Sequence, residues 1–338
     1  MSKASRIMLV KNRALGDSIM GLSGAQYLKH LYPESNIIYA IPQWIAPLYS
    51  ESKTAADKIY PLKLSTLKDI LSLFMDIKKL KIDHIHEMHQ SGRGAKIFKW
   101  ISIILGIRYT AHNHHLKNGT EVVDQGLIKP LIQRDLDGVY SFLGPGERPN
   151  YLDYSPKIMP AKERKKSPII IMGVVATRNT KMWALENYLK LASLIHVSFP
   201  HYAVVIPLSK SAEDRKIKEK LYQLGLPENV SILEWPLQDL PANFQEAAIY
   251  VGNDTGLKHL AIAVGIKTFT FFGPEPANEW HPYDPILHPY FYLEGLACRT
   301  RIHHYCGLSV CDLQKENMQC LTYFKPEFIF SKIAGELK

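Results

Sequence analysis

Short apolar runs and longer amphipathic segments alternate along almost the whole chain. In the first half, four β-branched or apolar runs predict strands, and three segments with apolar residues at helical spacing predict helices between them. The predicted strands are 7–10, 36–41, 83–86 and 107–111, and the predicted helices are 18–32, 65–79 and 93–104. This alternation is typical of βαβ units around a parallel sheet.

A second series of the same kind begins after residue 167. Its predicted strands are 169–173, 202–206, 230–233, 248–251 and 268–272, and its predicted helices are 185–197, 212–224, 239–247 and 257–264. Between the two series, residues 144–166 are rich in proline, glycine and charge, which indicates a domain boundary. We therefore expect an α/β protein with two doubly wound domains, whose ligands bind beyond the carboxyl ends of the strands.

The predicted bounds follow from this division. They are an N-terminal domain over 1–155, a linker over 156–167, a C-terminal domain over 168–325, and a C-terminal helix over 326–338. The helix over 326–338 is a candidate to pack back on the first domain.

Composition and charge narrow the class of protein. A chain of 338 residues that is 46% hydrophobic and 22% charged is ordinary for a globular protein, which excludes a disordered or fibrous chain. Lys and Arg outnumber Asp and Glu by 41 to 32, and this excess indicates an anionic partner. Residues 1–160 carry 21 basic and 14 acidic side chains, against 20 and 18 in the remainder, so the excess belongs to the first half.

The sequence also predicts a compartment. No apolar run approaches the roughly 18–20 residues that cross a bilayer, and the first ten residues lack the apolar core of a secretory signal. We therefore expect a cytoplasmic protein. Four cysteines, Cys298, Cys306, Cys311 and Cys320, fall within the last 41 residues, and a reducing compartment argues against structural disulfides there. A four-thiolate metal site is chemically reasonable, but the Cys-x-x-Cys spacing is missing, which favours free thiols.

The first candidate site follows the first predicted strand. Leu15-Gly16-Asp17 forms a turn in which Gly16 lets the backbone pass close to a ligand before a helix begins. Asp17 stands at a predicted N-cap, where it either stabilises the helix by about 1 kcal/mol or serves as a general base that faces an interdomain cleft.

Two further candidates lie in the second half. In Asp254-Thr255-Gly256, the start of a predicted helix offers backbone N–H groups to a diphosphate, while Asp254 suits sugar hydroxyls. His259 follows one helical turn later, either facing the same anion or lying buried and neutral. The loop from Thr177 to Lys181 carries hydroxyls and cations that suit an anionic leaving group. Neither the Walker A pattern nor a Gly-x-Gly-x-x-Gly fingerprint after the first strand is present.

Together these motifs resemble a known family. The Leu-Gly-Asp turn, the Lys181-x-Trp183 loop and the Asp-Thr-Gly-x-x-His-Leu-Ala segment, followed by Phe272-Gly273-Pro274 and Trp280-x-Pro282, are similar to the bacterial lipopolysaccharide heptosyltransferases of glycosyltransferase family nine. The resemblance implies the GT-B architecture, two Rossmann-like domains facing across a cleft. It also implies inverting transfer of heptose from ADP-heptose to Kdo or heptose in the inner core, with no metal or other cofactor required.

The resemblance implies a role for each matching residue. Asp17 takes the position of the general base. The donor-binding positions are Thr177 and Lys181 at the diphosphate, Glu213 at the ribose, Trp235 at the adenine, Asp254 at the heptose hydroxyls, and Thr255, Gly256 and His259 at the phosphates. Lys181, the helix start and a protonated His259 would stabilise the leaving diphosphate in place of a metal ion.

Three positions depart from the family pattern and leave the donor identity open. Ala184 replaces a common Pro, Ala176 replaces one of a pair of hydroxyls, and Lys258 replaces a common Ser. The sequence does not indicate in which direction the Lys258 side chain points.

The basic first domain suits a lipid A-core acceptor at the membrane surface. Peripheral contact with the inner face of the cytoplasmic membrane is compatible with this partner, and nucleic acid is not expected. Candidate acceptor contacts are Arg13, Arg93, Lys96 and Lys99, each of which is otherwise an exposed solubilising cation. A protein heptosyltransferase, a family member that uses another nucleotide sugar, and a catalytically silent nucleotide-sugar-binding protein are the alternatives.

Overall fold

The chain folds into two compact α/β units. The computed structural model describes residues 5–90, 92–112, 116–118, 121–123, 129–143, 146–296, 298, 311 and 318–337. The units comprise Met1–Met159 and Pro160–Lys338. Among the described residues, no helix combines the length and the apolar character needed to span a membrane.

The first unit is built on a parallel sheet. Its strands are β1 (Arg6–Val10), β2 (Asn36–Pro42), β3 (Ser52–Lys53), β4 (Lys58–Leu62), β5 (His84–Glu87), β6 (Arg108–Ala111), β7 (Leu116–Asn118) and β8 (Glu121–Val123). Its helices are α1 (Leu15–Met20), α2 (Leu22–Leu31), α3 (Leu67–Lys79), α4 (Gly92–Leu105) and α5 (Leu131–Leu143). Five strands pair in the order β4-β2-β1-β5-β6, every neighbouring pair parallel, while β7 and β8 form an antiparallel pair.

The hydrophobic pattern explains this sheet. Residues 7–10 of β1 are all fully buried, which is typical of a parallel strand covered on both faces. One face packs against Leu73 and Ile77 of α3 and against Phe98 and Ile101 of α4. These helices therefore stand directly over the strand that leads to the first candidate site.

The second unit repeats the plan with six strands. The short strand β9 (Met159–Pro160) spans the boundary between the units, and the six strands of the second unit are β10 (Ile169–Gly173), β11 (Ala203–Pro207), β12 (Val230–Leu233), β13 (Ile249–Asn253), β14 (Lys267–Phe272) and β15 (Tyr290–Tyr292). Its helices are α6 (Leu185–Ser198), α7 (Ala212–Leu224), α8 (Leu240–Glu246), α9 (Gly256–Ala263), α10 (Ala277–Trp280), α11 (Gln319–Thr322) and α12 (Pro326–Ile333). The sheet has the order β12-β11-β10-β13-β14-β15 and is parallel throughout.

The C-terminal helix α12 packs against α6 of its own unit. Ile329 and Ile333 of α12 are fully buried in the core that also holds Leu191 and Ile195 of α6. The indole N–H of Trp183 donates to the carbonyl of Phe324 at 2.9 Å, just before α12 begins.

The predicted α/β class with parallel sheets is confirmed, and the differences have local causes. The helix predicted over 18–32 is two helices that meet at Gly21, because the Tyr39 hydroxyl donates to the Ser18 carbonyl at 2.7 Å and takes the acceptor that the next helical turn would use. A Cβ on Gly21 would lie 2.2 Å from that hydroxyl oxygen. Strand β4 was not predicted because it contains Pro61, which is tolerated at the edge of the sheet.

Candidate active site

The predicted donor-binding residues all lie at one edge of the second sheet. They are Thr177 and Lys181 after β10, Glu213 after β11, Trp235 after β12, and the segment 254–259 after β13. Because these strands are parallel, the segments that follow them emerge together at the carboxyl edge, where sheets of this kind bind ligands.

An ion-pair network organises this edge around Asp254. One carboxylate oxygen of Asp254 lies 3.1 Å from the ammonium of Lys181, and the other lies 2.6 Å from the ammonium of Lys258. Lys258 is fully buried, donates to the carbonyl of Trp280 at 2.7 Å, and stands 4.7 Å from the centre of the Phe272 ring. The side chain of Lys258 therefore points into the protein and holds Asp254 from behind.

A second carboxylate extends the network. Glu275 pairs with Arg178 and lies 4.0 Å from the ammonium of Lys181. In this network three cations face two carboxylates, which leaves one excess positive charge beside the N-terminus of α9. The first N–H groups of a helix lack intrahelical acceptors and favour an anion.

The protonation states follow from burial and from these neighbours. Burial alone would raise the pKa of the Asp254 carboxyl, but Lys181 and Lys258 outweigh burial and hold this pKa well below its ordinary value. Burial lowers the pKa of Lys258 to about 8, although the adjacent Asp254 opposes that shift. Near neutral pH, the carboxylate and the Lys258 ammonium are therefore both charged.

His259 differs from the expectation of a protonated imidazole. Burial, assisted by the charge of Lys258, lowers the pKa of His259 well below its ordinary value. Its Nδ1 lies 2.6 Å from the Tyr283 hydroxyl oxygen, and the two groups share a hydrogen bond. His259 is therefore a buried histidine with a satisfied partner, which agrees with the alternative of a buried, neutral side chain, and its contact with an anion stays a prediction.

Asn253 is a positioning residue whose role the sequence motifs did not indicate. Its Oδ1 accepts from the backbone N–H of Trp183 at 2.9 Å and from the Tyr188 hydroxyl at 3.0 Å, while its Nδ2 donates to the Val174 carbonyl at 2.8 Å. These three bonds tie the end of β13 to the loop that carries Lys181. In the sequence, the indication of this role was a polar side chain at the end of an apolar strand. A buried amide needs hydrogen-bond partners, so such a side chain is expected to bond to neighbouring segments.

The Phe-Gly-Pro motif has a steric explanation. A Cβ on Gly273 would lie 2.5 Å from the Thr180 carbonyl oxygen, so glycine permits the Lys181 loop to pass this close. Trp183 anchors the far end of that loop, because its ring stacks on Phe271 with the ring centres 4.3 Å apart.

The remaining predicted donor residues lie outside the ion-pair network. Thr177 is exposed, and Glu213 is exposed in the first turn of α7. Trp235 is half-buried, with its ring centre 6.4 Å from that of Phe244. Thr255 is the N-cap of α9, and Gly256 is its first residue.

The first unit presents Asp17 at the carboxyl end of β1. Asp17 is the third residue of α1, and Ala14 is the N-cap, so the predicted capping position is wrong because the helix begins earlier than expected. Its side chain is nearly buried, and the Arg13 Nε lies 3.8 Å from one carboxylate oxygen. Burial raises the pKa of the Asp17 carboxyl, although Lys11 and Arg13 oppose the rise.

A buried ion pair fixes the end of β1. The Lys11 ammonium lies 2.6 and 2.8 Å from the two carboxylate oxygens of Asp135 on α5, and both side chains are completely buried. The segment that leads from β1 to Asp17 is thus fastened to a helix more than a hundred residues away in sequence.

A cavity of about 1130 Å³ opens at the carboxyl ends of β1, β2 and β4. Arg13, Lys63 and Arg93 contribute cations to its wall, and Trp44 contributes an exposed aromatic ring. None of its described lining residues is acidic. Two of the predicted acceptor contacts therefore line this cavity, whereas Lys96 and Lys99 lie exposed further along α4.

The predicted cysteine site is only partly within the described residues. Cys298, Cys311 and Cys320 are half-buried, and the backbone N–H of Met318 donates to the sulfur of Cys311 at 3.3 Å. Cys306 lies outside the described residues. In the described part of the chain, no three His, Cys, Asp or Glu side chains come together as a metal site.

Two α/β units, each built on a parallel sheet, are the fold of the GT-B glycosyltransferases. A glycosyltransferase family 9 protein from Veillonella parvula has this fold, with a TM-score of 0.73 and 15% identity over 98% of this chain and 97% of that chain. The ADP-heptose lipopolysaccharide heptosyltransferase II of Escherichia coli superposes with a TM-score of 0.71 and 17% identity over 98% of each chain.

Sequence comparison defines the family. The profile of glycosyltransferase family 9 (heptosyltransferase) matches residues 70–290, well over half of the chain. The lipooligosaccharide heptosyltransferase 2 of Campylobacter jejuni is 21% identical over 339 residues, with 96% of both chains covered. The protein belongs to glycosyltransferase family 9 and is a glycosyltransferase.

The network around Asp254 predicts the effect of Asp254→Asn on stability. The variant leaves the buried Lys258 ammonium without its counter-charge, so the free energy of unfolding should fall by about 3–5 kcal/mol near neutral pH. Loss of Asp254 lowers the pKa of Lys258 below the wild-type value of about 8. As pH rises toward that value, Lys258 loses its proton at a lower pH in the folded variant than in the folded wild type. The difference in the free energy of unfolding between the two proteins should therefore shrink.

Urea unfolding of both proteins across this pH range measures the effect. Glu186→Gln is the matched control, because Glu186 pairs with Lys220 on the surface and exposed pairs contribute little. A deficit no larger than that of the control would contradict the assignment of Asp254 as the partner that Lys258 requires.

Proposed function

We propose that this protein transfers heptose from ADP-heptose to Kdo or heptose in the inner core of lipopolysaccharide, with inversion at the anomeric carbon and without a metal ion. Family membership supplies the reaction class. The observation that carries the donor assignment is the network of Lys181, Asp254 and Lys258, which places an excess positive charge beside the N-terminus of α9.

The donor diphosphate binds at this edge of the second unit. Lys181, which unlike Lys258 is partly accessible, contacts the phosphates together with the backbone amides at Thr255 and Gly256. Each Asp254 oxygen accepts one hydrogen bond from a lysine ammonium and has a further lone pair for the heptose hydroxyls. Thr177, Glu213 and Trp235 complete the contacts to the diphosphate, ribose and adenine, and His259 supports the phosphate site as a neutral imidazole.

These groups favour departure of ADP. Negative charge grows on the diphosphate as the glycosidic bond breaks, so a fixed lysine and helix amides stabilise the transition state more than the ground state. Each such donor contributes about 3 kcal/mol where its position is preorganised. Asn253 and Lys258 supply that preorganisation, because they hold the Lys181 loop and Asp254 in place. A divalent cation is not needed for this step.

Asp17 is the general base. Its carboxylate accepts the proton of the acceptor hydroxyl while that oxygen bonds to the anomeric carbon and the bond to the ADP phosphate oxygen breaks. The pKa of Asp17 is raised by burial, which makes it a stronger base than an exposed aspartate. Attack from the face opposite to ADP inverts the anomeric configuration.

The acceptor occupies the cavity of the first unit. Arg13, Lys63 and Arg93 on its wall suit the phosphates and carboxylates of a lipid A-core saccharide, with Lys96 and Lys99 further along α4. The names of the Campylobacter and Escherichia coli proteins, which refer to lipooligosaccharide and lipopolysaccharide, support this acceptor class. The protein binds such an acceptor in the cytoplasm, at the inner face of the membrane.

A substrate panel tests the proposal. The protein is incubated with ADP-heptose or other nucleotide sugars and with truncated lipopolysaccharide acceptors, with and without EDTA, and the products are weighed by mass spectrometry. We expect a mass gain of one heptose from ADP-heptose only, unchanged by the chelator. Transfer from another nucleotide sugar, transfer to a protein acceptor alone, or loss of activity that added metal restores would each contradict part of the proposal.

Asp17→Asn tests the base. The amide preserves shape but cannot take the proton, so kcat should fall by about 10²- to 10⁴-fold while ADP binding stays nearly intact. In the wild type, kcat/KM should fall as pH drops through the raised pKa of Asp17, and this acid limb should disappear in the variant. Glu34→Gln, at an exposed acid of the same unit, is the control and should retain full activity. Transfer within a few-fold of wild type would exclude Asp17 as the base.

A further inference from the structure

Helices α3 and α4 expose apolar side chains that the fold of the unit does not require. Six large apolar side chains on these two helices are between 50% and 72% exposed. They are Leu67, Leu71 and Met75 on α3, and Trp100, Ile103 and Ile104 on α4. We call this set the α3–α4 face.

The spacing makes the α3–α4 face one surface. The three residues of α3 are four positions apart, and on α4 Ile103 and Ile104 lie three and four positions after Trp100, so each set lies on one side of its helix. Phe74 and Trp100 join the stripes, with ring centres 6.3 Å apart. The opposite side of each helix already covers the sheet. Two helices that are apolar on both sides therefore carry an outward face suited to a partner.

The charges beside this face have one predominant sign. On α4, Arg93, Lys96 and Lys99 are exposed, and no residue of this helix is acidic. The two acidic residues of α3 are engaged within the unit, because Asp69 closes the capping box with Thr66 and Asp76 accepts from the Tyr60 hydroxyl at 2.7 Å. Exposed Lys78 and Lys79 end α3.

We propose that the α3–α4 face docks on an anionic lipid bilayer, with its apolar side chains in the interfacial layer and its lysines against lipid headgroups. Interfacial helices have this composition, including a Trp at the boundary and cations along the flank. A second copy of the chain would bring like charges together, whereas an anionic membrane satisfies both the apolar and the cationic side chains.

The α3–α4 face lies next to the cavity proposed for the acceptor, and this part of the inference rests on the proposed function. Residues 63–65, just before α3, and 92–94, at the start of α4, line the cavity. Docking through the same two helices would hold the cavity beside the membrane. The saccharide of a lipid-anchored acceptor could then enter the cavity while its acyl chains stay in the bilayer.

Vesicle flotation of the full chain tests the inference. The protein is mixed with vesicles of phosphatidylcholine alone or with added phosphatidylglycerol, at low and high salt. We expect binding to the anionic vesicles that weakens as salt screens the charges. Trp100→Ser combined with Ile103→Ser should lower the partition coefficient by about tenfold or more, since both side chains lose apolar area to bury. Val197→Ser combined with Ile286→Ser, at two exposed apolar positions of the second unit, is the matched control and should bind as wild type.

Equal vesicle binding by the Trp100/Ile103 variant and the wild type would overturn the inference, as would absence of wild-type binding to anionic vesicles. A wild-type dimer in sedimentation that the variant fails to form would assign the face to a second copy instead. Transfer to a soluble, deacylated acceptor should be unchanged in this variant. If the wild-type protein does not bind anionic vesicles but still transfers heptose to the soluble acceptor, the docking inference is wrong and the proposed function stands. If the wild-type protein binds the vesicles but transfers no heptose, the proposed function is wrong.

Discussion

The candidate donor site depends on a carboxylate that is buried between two lysines. Desolvation opposes the charge of Asp254, and the ammonium groups of Lys181 and Lys258 are the main groups that keep it ionised. Lys258 is itself buried, so neither member is stable in its charged form without the other. Four segments meet through this arrangement: the end of β13, the start of α9, the loop after β10, and the Trp280 carbonyl at the end of α10.

The first unit also contains a buried ion pair. Lys11 follows β1 and pairs with Asp135 on α5, completely out of solvent, and Asp17 lies six residues beyond Lys11. In both units a buried ion pair formed with a separate element or loop fixes the backbone at the carboxyl end of a central strand. Fixed charges of this kind need not reorganise during a reaction, which is the property that the proposed transfer with a charged leaving group requires.

The sequence predicted the sheets because parallel strands buried on both faces appear as continuous apolar runs, as in β1 and β10. The meeting of Lys181 and Asp254 was also predictable, since both residues follow strands of one parallel sheet. The partners of Lys11 and Lys258 were not predictable, because Asp135 lies 124 positions from Lys11 and the inward direction of Lys258 depends on the Trp280 carbonyl and the Phe272 ring. The break of the predicted helix at Gly21 likewise depends on Tyr39, which belongs to another strand.

We infer that the Lys181–Asp254–Lys258 network binds a nucleoside diphosphate, and calorimetric titration with ADP tests this inference most directly. Lys181→Met removes the partly accessible partner of Asp254 and keeps the Lys258 pair with Asp254, so the protein should fold. Its ADP affinity should fall by about tenfold to a hundredfold, the effect of losing one charged hydrogen bond. Lys190→Met, which removes an exposed lysine paired with Glu327, should leave the affinity unchanged. Equal ADP affinity in the two variants would contradict the account.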